Sequence, residues 1–206
     1  MVKNMKYMVF VCLILALAGC SIDSFSVNTI KWKLDKDGFI QWCTDDPKNY
    51  GYSFLSLYDN NNSDQDIYEI ECKKISGNQL GAYGMLFRAV DNDHFYCVFI
   101  AADGYYYMGI KNGAGKGEDI DGIEVIEKED GWAKSDKLNI GYDIINKIRV
   151  TRSGDDYTIY FNGEYVNKFT DNRITGDKIG YFVEVGPYPY EVFPYSPVDV
   201  RFKQVQ

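Results

Sequence analysis

The stretch FRAVDNDHFYCVFIAADGYYYMGI, from Phe87 to Ile110, gathers an arginine, the chain's one histidine and three consecutive tyrosines. Arginine among aromatic rings suits a sugar. Ring faces stack on the C–H face of a pyranose, and the guanidinium offers fixed donors to hydroxyls or a carboxylate. A second stretch, EDIDGIE, holds Asp119, Asp121 and Glu124 within six residues. Alternation along a strand would put Asp119 and Asp121 on one face, where neighbouring carboxylates can share acid/base work. His94 belongs to the turn DNDH, with Asp91 and Asp93 beside it, and reads as a solvated turn residue. No Ser–His, Cys–His or phosphate-loop arrangement accompanies it, so nucleophilic catalysis of the common kind is not expected.

No cofactor and no metal site is expected. One histidine in the whole chain argues against zinc. The stretch DNNNSDQD imitates the start of an EF-hand loop with Asp59, Asn61 and Ser63, but Asp64 stands where a glycine is needed and Ile70 where a glutamate is needed. Structural calcium in CTDDPKN, DNNNSDQD or VDNDH is the minority reading. VGPYPYEVFPYSPVDV interleaves Tyr188, Tyr190, Phe193 and Tyr195 with prolines that cannot join a hydrogen-bond ladder, so it reads as a loop or edge. Held stiff by proline, these rings would serve either as an interaction platform or as a cap on the core.

The N-terminus is read as a targeting segment. Lys3 and Lys6 form a positive start, Met8 to Leu17 is apolar, and LAGC ends at Cys20. The small pair before cysteine resembles the bacterial lipobox. That resemblance implies cleavage after residue 19, lipidation of Cys20, a tether over residues 20–28 and a location in the bacterial cell envelope, with the outer membrane favoured. Two lysines leave with such a leader, so 20 basic residues face 30 acidic ones and the balance becomes −10. That surface repels nucleic acid and anionic headgroups, so membrane contact would run through the acyl chains. The oligomeric state is not fixed by the sequence. Cys43, Cys72 and Cys97 then remain, an odd number in strand-like contexts, and buried thiols are expected in preference to one bridge.

The remaining chain, residues 29–206, reads as one all-β domain. Short alternating runs rich in Tyr, Phe, Val and Ile are divided by turn chemistry such as SGDD, Asn162–Gly163 and AADG. In DIYEIECKKI, Tyr68, Ile70 and Cys72 fall on one face and Ile67, Glu69 and Glu71 on the other. GAYGMLFRAVDNDHFYCVFIAADGYYYMGI, then GW and NKIRVTRSGDDYTIYFNGEYVNKFTDNRITGDKIGYFVEV, resembles concanavalin A-like lectin/glucanase (laminin-G-like) domains. The resemblance spans about Ile67 to Gln206 and implies a jelly-roll β-sandwich of two antiparallel sheets. It implies a core set of Tyr96, Val98, Ile100, Tyr106 and Met108. The opposite set, Arg88, Cys97, Phe99, Tyr105 and Tyr107, would line the concave face where sugar-binding relatives bind.

Family-16 glycoside hydrolases share this fold and carry Glu-x-Asp-x-(x)-Glu on one strand. The motif here is D-I-D-G-I-E, with aspartate at the nucleophile position. The lost methylene matters where carboxyls must stand roughly 5–5.5 Å apart. The leading expectation is therefore a non-catalytic glycan-binding or adhesion module on a lipid anchor, using Arg88, Phe99, Tyr105 and Tyr107. A hydrolase of the family-16 type and a structural or protein-interaction domain are the alternatives.

Overall fold

The computed structural model describes residues 32–61, 66–113, 131–186 and 194–205, together with the backbone of residues 124–125. Among these residues lie fourteen strands and one 3-10 turn, Pro47–Asn49. The strands are β1 (Trp32–Leu34), β2 (Ile40–Thr44), β3 (Ser53–Asp59), β4 (Ile67–Ser76), β5 (Tyr83–Asp91), β6 (His94–Ile100) and β7 (Tyr105–Asn112). They continue as β8 (Glu124–Val125), β9 (Trp132–Lys134), β10 (Asn146–Ser153), β11 (Asp156–Phe161), β12 (Glu164–Thr170), β13 (Lys178–Glu184) and β14 (Val198–Gln204). One sheet runs β1-β2-β14-β4-β10-β11-β12, the other β3-β13-β5-β6-β7-β8, and β9 also pairs with β7. Every pairing is antiparallel.

Alternation decides what each sheet buries. On β4, Tyr68, Ile70 and Cys72 face the other sheet and are fully buried. They meet Met85 and Phe87 of β5 and Tyr96, Val98 and Ile100 of β6, with Tyr106 and Met108 of β7 in the same cluster. The core is largely aromatic at one end. Phe87 stands 5.5 Å from Tyr96, 5.8 Å from Tyr68 and 5.8 Å from Tyr157, and Tyr157 stacks on Phe169 at 4.8 Å.

The outward side of the second sheet carries a second apolar layer, made of Leu86, Ala89, Phe95, Cys97, Phe99, Tyr107 and Phe182. Phe99 stacks on Phe182 at 4.0 Å, and Gly84 opposite Phe99 leaves no room for a Cβ against the Val98 carbonyl. Cys72 and Cys97 therefore sit in different layers, each with its thiol pushed far up by burial, and cannot bridge one another. Cys43, half-buried, lies on β2.

The turns follow their residues. Asn162 and Gly163 both adopt positive φ, 53° and 88°, which closes the two-residue hairpin between β11 and β12. Asn162 does more than turn the chain. Its Oδ1 accepts from the Lys147 N–H at 2.9 Å, and its Nδ2 donates to the Lys137 carbonyl at 2.7 Å and to Asn146 Oδ1 at 3.0 Å. Asn162→Ala removes all three bonds and keeps a β-carbon in a left-handed turn. A loss of about 2 kcal/mol is expected in urea unfolding. An unchanged midpoint would show that the network contributes nothing.

Candidate functional site

The structure separates the residues that the sequence groups on one face. Tyr105 is partly exposed, at 39 %, with Lys134 Nζ 5.7 Å over its ring. Phe99 is fully buried and Tyr107 is 3 % exposed, both inside the second apolar layer. The expected open concave face is thus closed at those two positions, because they pack on Phe182 and Trp132.

Arg88 does not share that layer. Between Leu86–Gly180 and Ala89–Lys178, β5 spends two residues where β13 spends one. Arg88 takes φ 53° in this bulge. Leu86 and Ala89 stay on the outward layer while Phe87 enters the core. The extra residue turns the Arg88 side chain to the inter-sheet side, beside Tyr68 and Tyr157.

Other expected residues are placed as follows. His94 opens β6, paired with Asn112, with Nδ1 2.8 Å from Asp91 Oδ1, and Lys111 pairs with Asp93 at 3.0 Å. The Asp91 carboxyl is held below its usual range by the Asp93 N–H and by His94. Tyr195 is half-buried, edge-on to Tyr50 at 6.0 Å, with its hydroxyl donating to the Thr44 carbonyl at 3.4 Å. Cys20, Asp119, Asp121, Tyr188, Tyr190 and Phe193 lie outside the described residues, and Glu124 is described only as backbone paired with Ile110. Among the described residues, no group of three His, Cys, Asp or Glu side chains is gathered to hold a metal ion.

A groove that the sequence did not single out opens where β3, β13, β14, β4 and the β1–β2 turn meet. Its volume is about 530 Å³, within the range of ligand sites. Tyr58 and the buried Tyr181 form its aromatic part, 5.1 Å apart, and Tyr181 stacks on Phe202 at 4.9 Å. Asn61, Glu71, Lys203 and Gln204 bring polar groups to it. Lys203 and Glu71 face each other across the β14–β4 pairing. The amides are held in a chain: Gln204 donates to Asn60 at 3.1 Å and accepts from Asn61 at 3.3 Å, while Asn60 donates to the Ile67 carbonyl at 3.0 Å. Burial pushes the Tyr58 hydroxyl above its usual pKa, so it stays neutral and able to donate.

Strand pairing is what assembles this groove. Its residues come from segments around 34–40, 58–61, 71, 181 and 203–205, which no local spacing links. An aromatic wall beside amides and one charge of each sign can stack a ring and hydrogen-bond its hydroxyls.

No protein family matches the chain, and no curated protein does. Among solved structures, carbohydrate-binding module CBM66 from Bacillus subtilis superposes with a TM-score of 0.55 at 15% identity, over 85% of this chain and 90% of that one. The fold is a concanavalin A-like jelly roll. A structure from work on endo-acting O-glycanases of the human gut microbiota gives 0.54 at 12% identity, over 88% of this chain and 86% of that one. At such identities the likeness concerns the fold.

Proposed function

We propose that this chain is a non-catalytic glycan-binding module held on the bacterial envelope by a lipid on Cys20. The observation that carries the reading is the groove of Tyr58, Asn61, Glu71, Tyr181, Lys203 and Gln204 on this sandwich. Its amides are pre-ordered by their own hydrogen bonds, so a sugar meets fixed donors and acceptors at little entropic cost. The fold likeness to a carbohydrate-binding module supports the same reading. Tyr105, exposed beneath Lys134, is a further aromatic surface for a glycan partner. The lipid anchor rests on the LAGC sequence before Ser21.

A glycan array followed by calorimetry on the best hit tests the groove. Lys203→Ala and Gln204→Ala should each weaken binding by about tenfold, as should Tyr58→Ala. Lys203 and Gln204 sit at the end of β14, so their truncation leaves the core intact. Absence of binding to every saccharide, or full affinity in all three variants, overturns the assignment. Labelling with a radioactive fatty acid tests the anchor: Cys20→Ser should abolish the label.

A further inference from the structure

The bulge at Arg88 is costly in three ways. A non-glycine residue in the left-handed region costs of the order of 1 kcal/mol. Arg88 Nε is buried and makes no hydrogen bond among the described residues. Tyr68 Oη, in a residue that is itself fully buried, has no well-formed hydrogen bond among the described residues, and the Arg88 guanidinium is its polar neighbour. Buried polar groups without partners are rare and call for a physical reason.

The neighbourhood sharpens the point. Arg152 Nε is paired with Asp66 at 2.7 Å, and Arg173 with Asp171 at 2.6 Å. Asp171 also accepts from the Tyr96 hydroxyl at 2.7 Å. The carboxylates at this end of the sandwich are thus claimed by the other two arginines. Among the described residues, no carboxylate lies within ion-pair distance of Arg88. Its guanidinium instead stands by the hydroxyls of Tyr68 and Tyr157, with Arg152 next to both tyrosines. Gly176 holds the bulge from outside, since a Cβ there would strike the carbonyls of Arg88 and Ala89. Arg88 remains partly open to solvent while Tyr68 is closed, so a ligand would meet the guanidinium first.

We propose that Arg88, Tyr68 and Tyr157 form a subsite for one carboxylate, that of an acidic sugar. The inference rests on the glycan-binding reading and names its ligand class. A planar carboxylate matches the guanidinium fork, and two phenolic donors complete its oxygens. A dianion fits less well. The chain's net charge is −8, and one unpaired arginine neutralises one charge only. The general repulsion is screened beyond about 8 Å at physiological ionic strength, so contact at the subsite prevails over it.

Calorimetry on the full chain with tetragalacturonate, the matched neutral galacto-oligosaccharide and acetate tests this. Tetragalacturonate should bind about tenfold more tightly than its neutral counterpart, and Arg88→Gln should erase that preference. Tyr68→Phe should reduce it severalfold at little cost in stability, because it deletes a buried hydroxyl that has no well-formed hydrogen bond. Arg88→Gly relieves the backbone strain, so a well-folded variant that has lost the preference separates binding from stability. Equal affinity for the acidic and neutral sugars, or a preference that survives Arg88→Gln, overturns the subsite and leaves the groove reading standing. Acetate binding that depends on Arg88, with no saccharide bound at all, overturns both as statements about sugars.

Discussion

Phe87→Ala lowers stability by about 3–5 kcal/mol, the range for an aromatic truncated in a packed core. Phe87 is fully buried, and its ring is in contact range of Tyr68, Tyr96, Tyr157 and Phe169 from both sheets. Removing it leaves a void walled by four large rings. Those rings are fixed by their own contacts: Tyr157 lies flat on Phe169 at 16° between planes, and Tyr96 donates to Asp171. They cannot close in, so the cavity cost adds to the lost transfer energy. For a chain of this size the melting temperature should fall by roughly 6–20 °C. Urea unfolding measures the free energy directly. A loss under about 1 kcal/mol would mean that the aromatic cluster does not pack as described.

Between pH 8 and 10 the native chain should gain stability relative to Lys74→Met, through a single buried amine. Lys74 lies on β4, 1 % exposed, with Nζ donating to the Gly81 carbonyl at 2.8 Å and standing 5.7 Å over the Tyr83 ring. Burial lowers its pKa from 10.5 to about 8, against the opposing pull of Glu184 and Asp103. Between those two values the unfolded chain binds a proton that the folded chain does not, so this group's contribution to stability grows with pH. Below pH 8 the amine is charged in both states and the penalty is fully present. The shift corresponds to roughly 3 kcal/mol. The buried thiols of Cys72 and Cys97 act the other way from about pH 8.5, because the unfolded chain releases those protons first. Tyr68, Tyr83, Tyr96, Tyr157 and Tyr181 are all held above their usual pKa by burial, so the unfolded chain loses protons first. Unfolding free energies measured from pH 7 to 10 should fall less steeply in the native chain than in Lys74→Met, the difference between the two changing by roughly 2–3 kcal/mol. Equal slopes in the two proteins would remove Lys74 as the cause. Glu184 stays satisfied in the variant, since its Oε2 accepts from the Ala82 N–H at 2.9 Å.

Local spacing was sufficient for the strands and for most of the core. Tyr68, Ile70 and Cys72 alternate with Glu69 and Glu71, and the first three are buried between the sheets. Tyr96, Val98, Ile100, Tyr106 and Met108 fall in the core for the same reason, since successive side chains on a strand must point to opposite faces. The Asn162–Gly163 hairpin was also legible, because positive φ selects those residue types. Arg88 escaped this reasoning. Its periodicity puts it beside Phe99 and Tyr107, yet the pairing of β5 with both β13 and β6 inserts a bulge and turns it around. Gly176 against the bulge carbonyls was the one sequence signal, and it lies 88 positions away from Arg88.

The sequence by itself determined which residues alternate and where the chain reverses, because both depend on neighbours a few positions apart. Tertiary structure alone decided what each face meets. It closed Phe99 and Tyr107 against Phe182 and Trp132, and it assembled the groove from β3, β4, β13 and β14. It also set the Arg88 guanidinium beside the Tyr68 hydroxyl and left Arg88 Nε without a hydrogen bond among the described residues. Register, bulges and layer contacts arise from pairings between segments far apart in the chain, and periodicity within one segment carries no information about them.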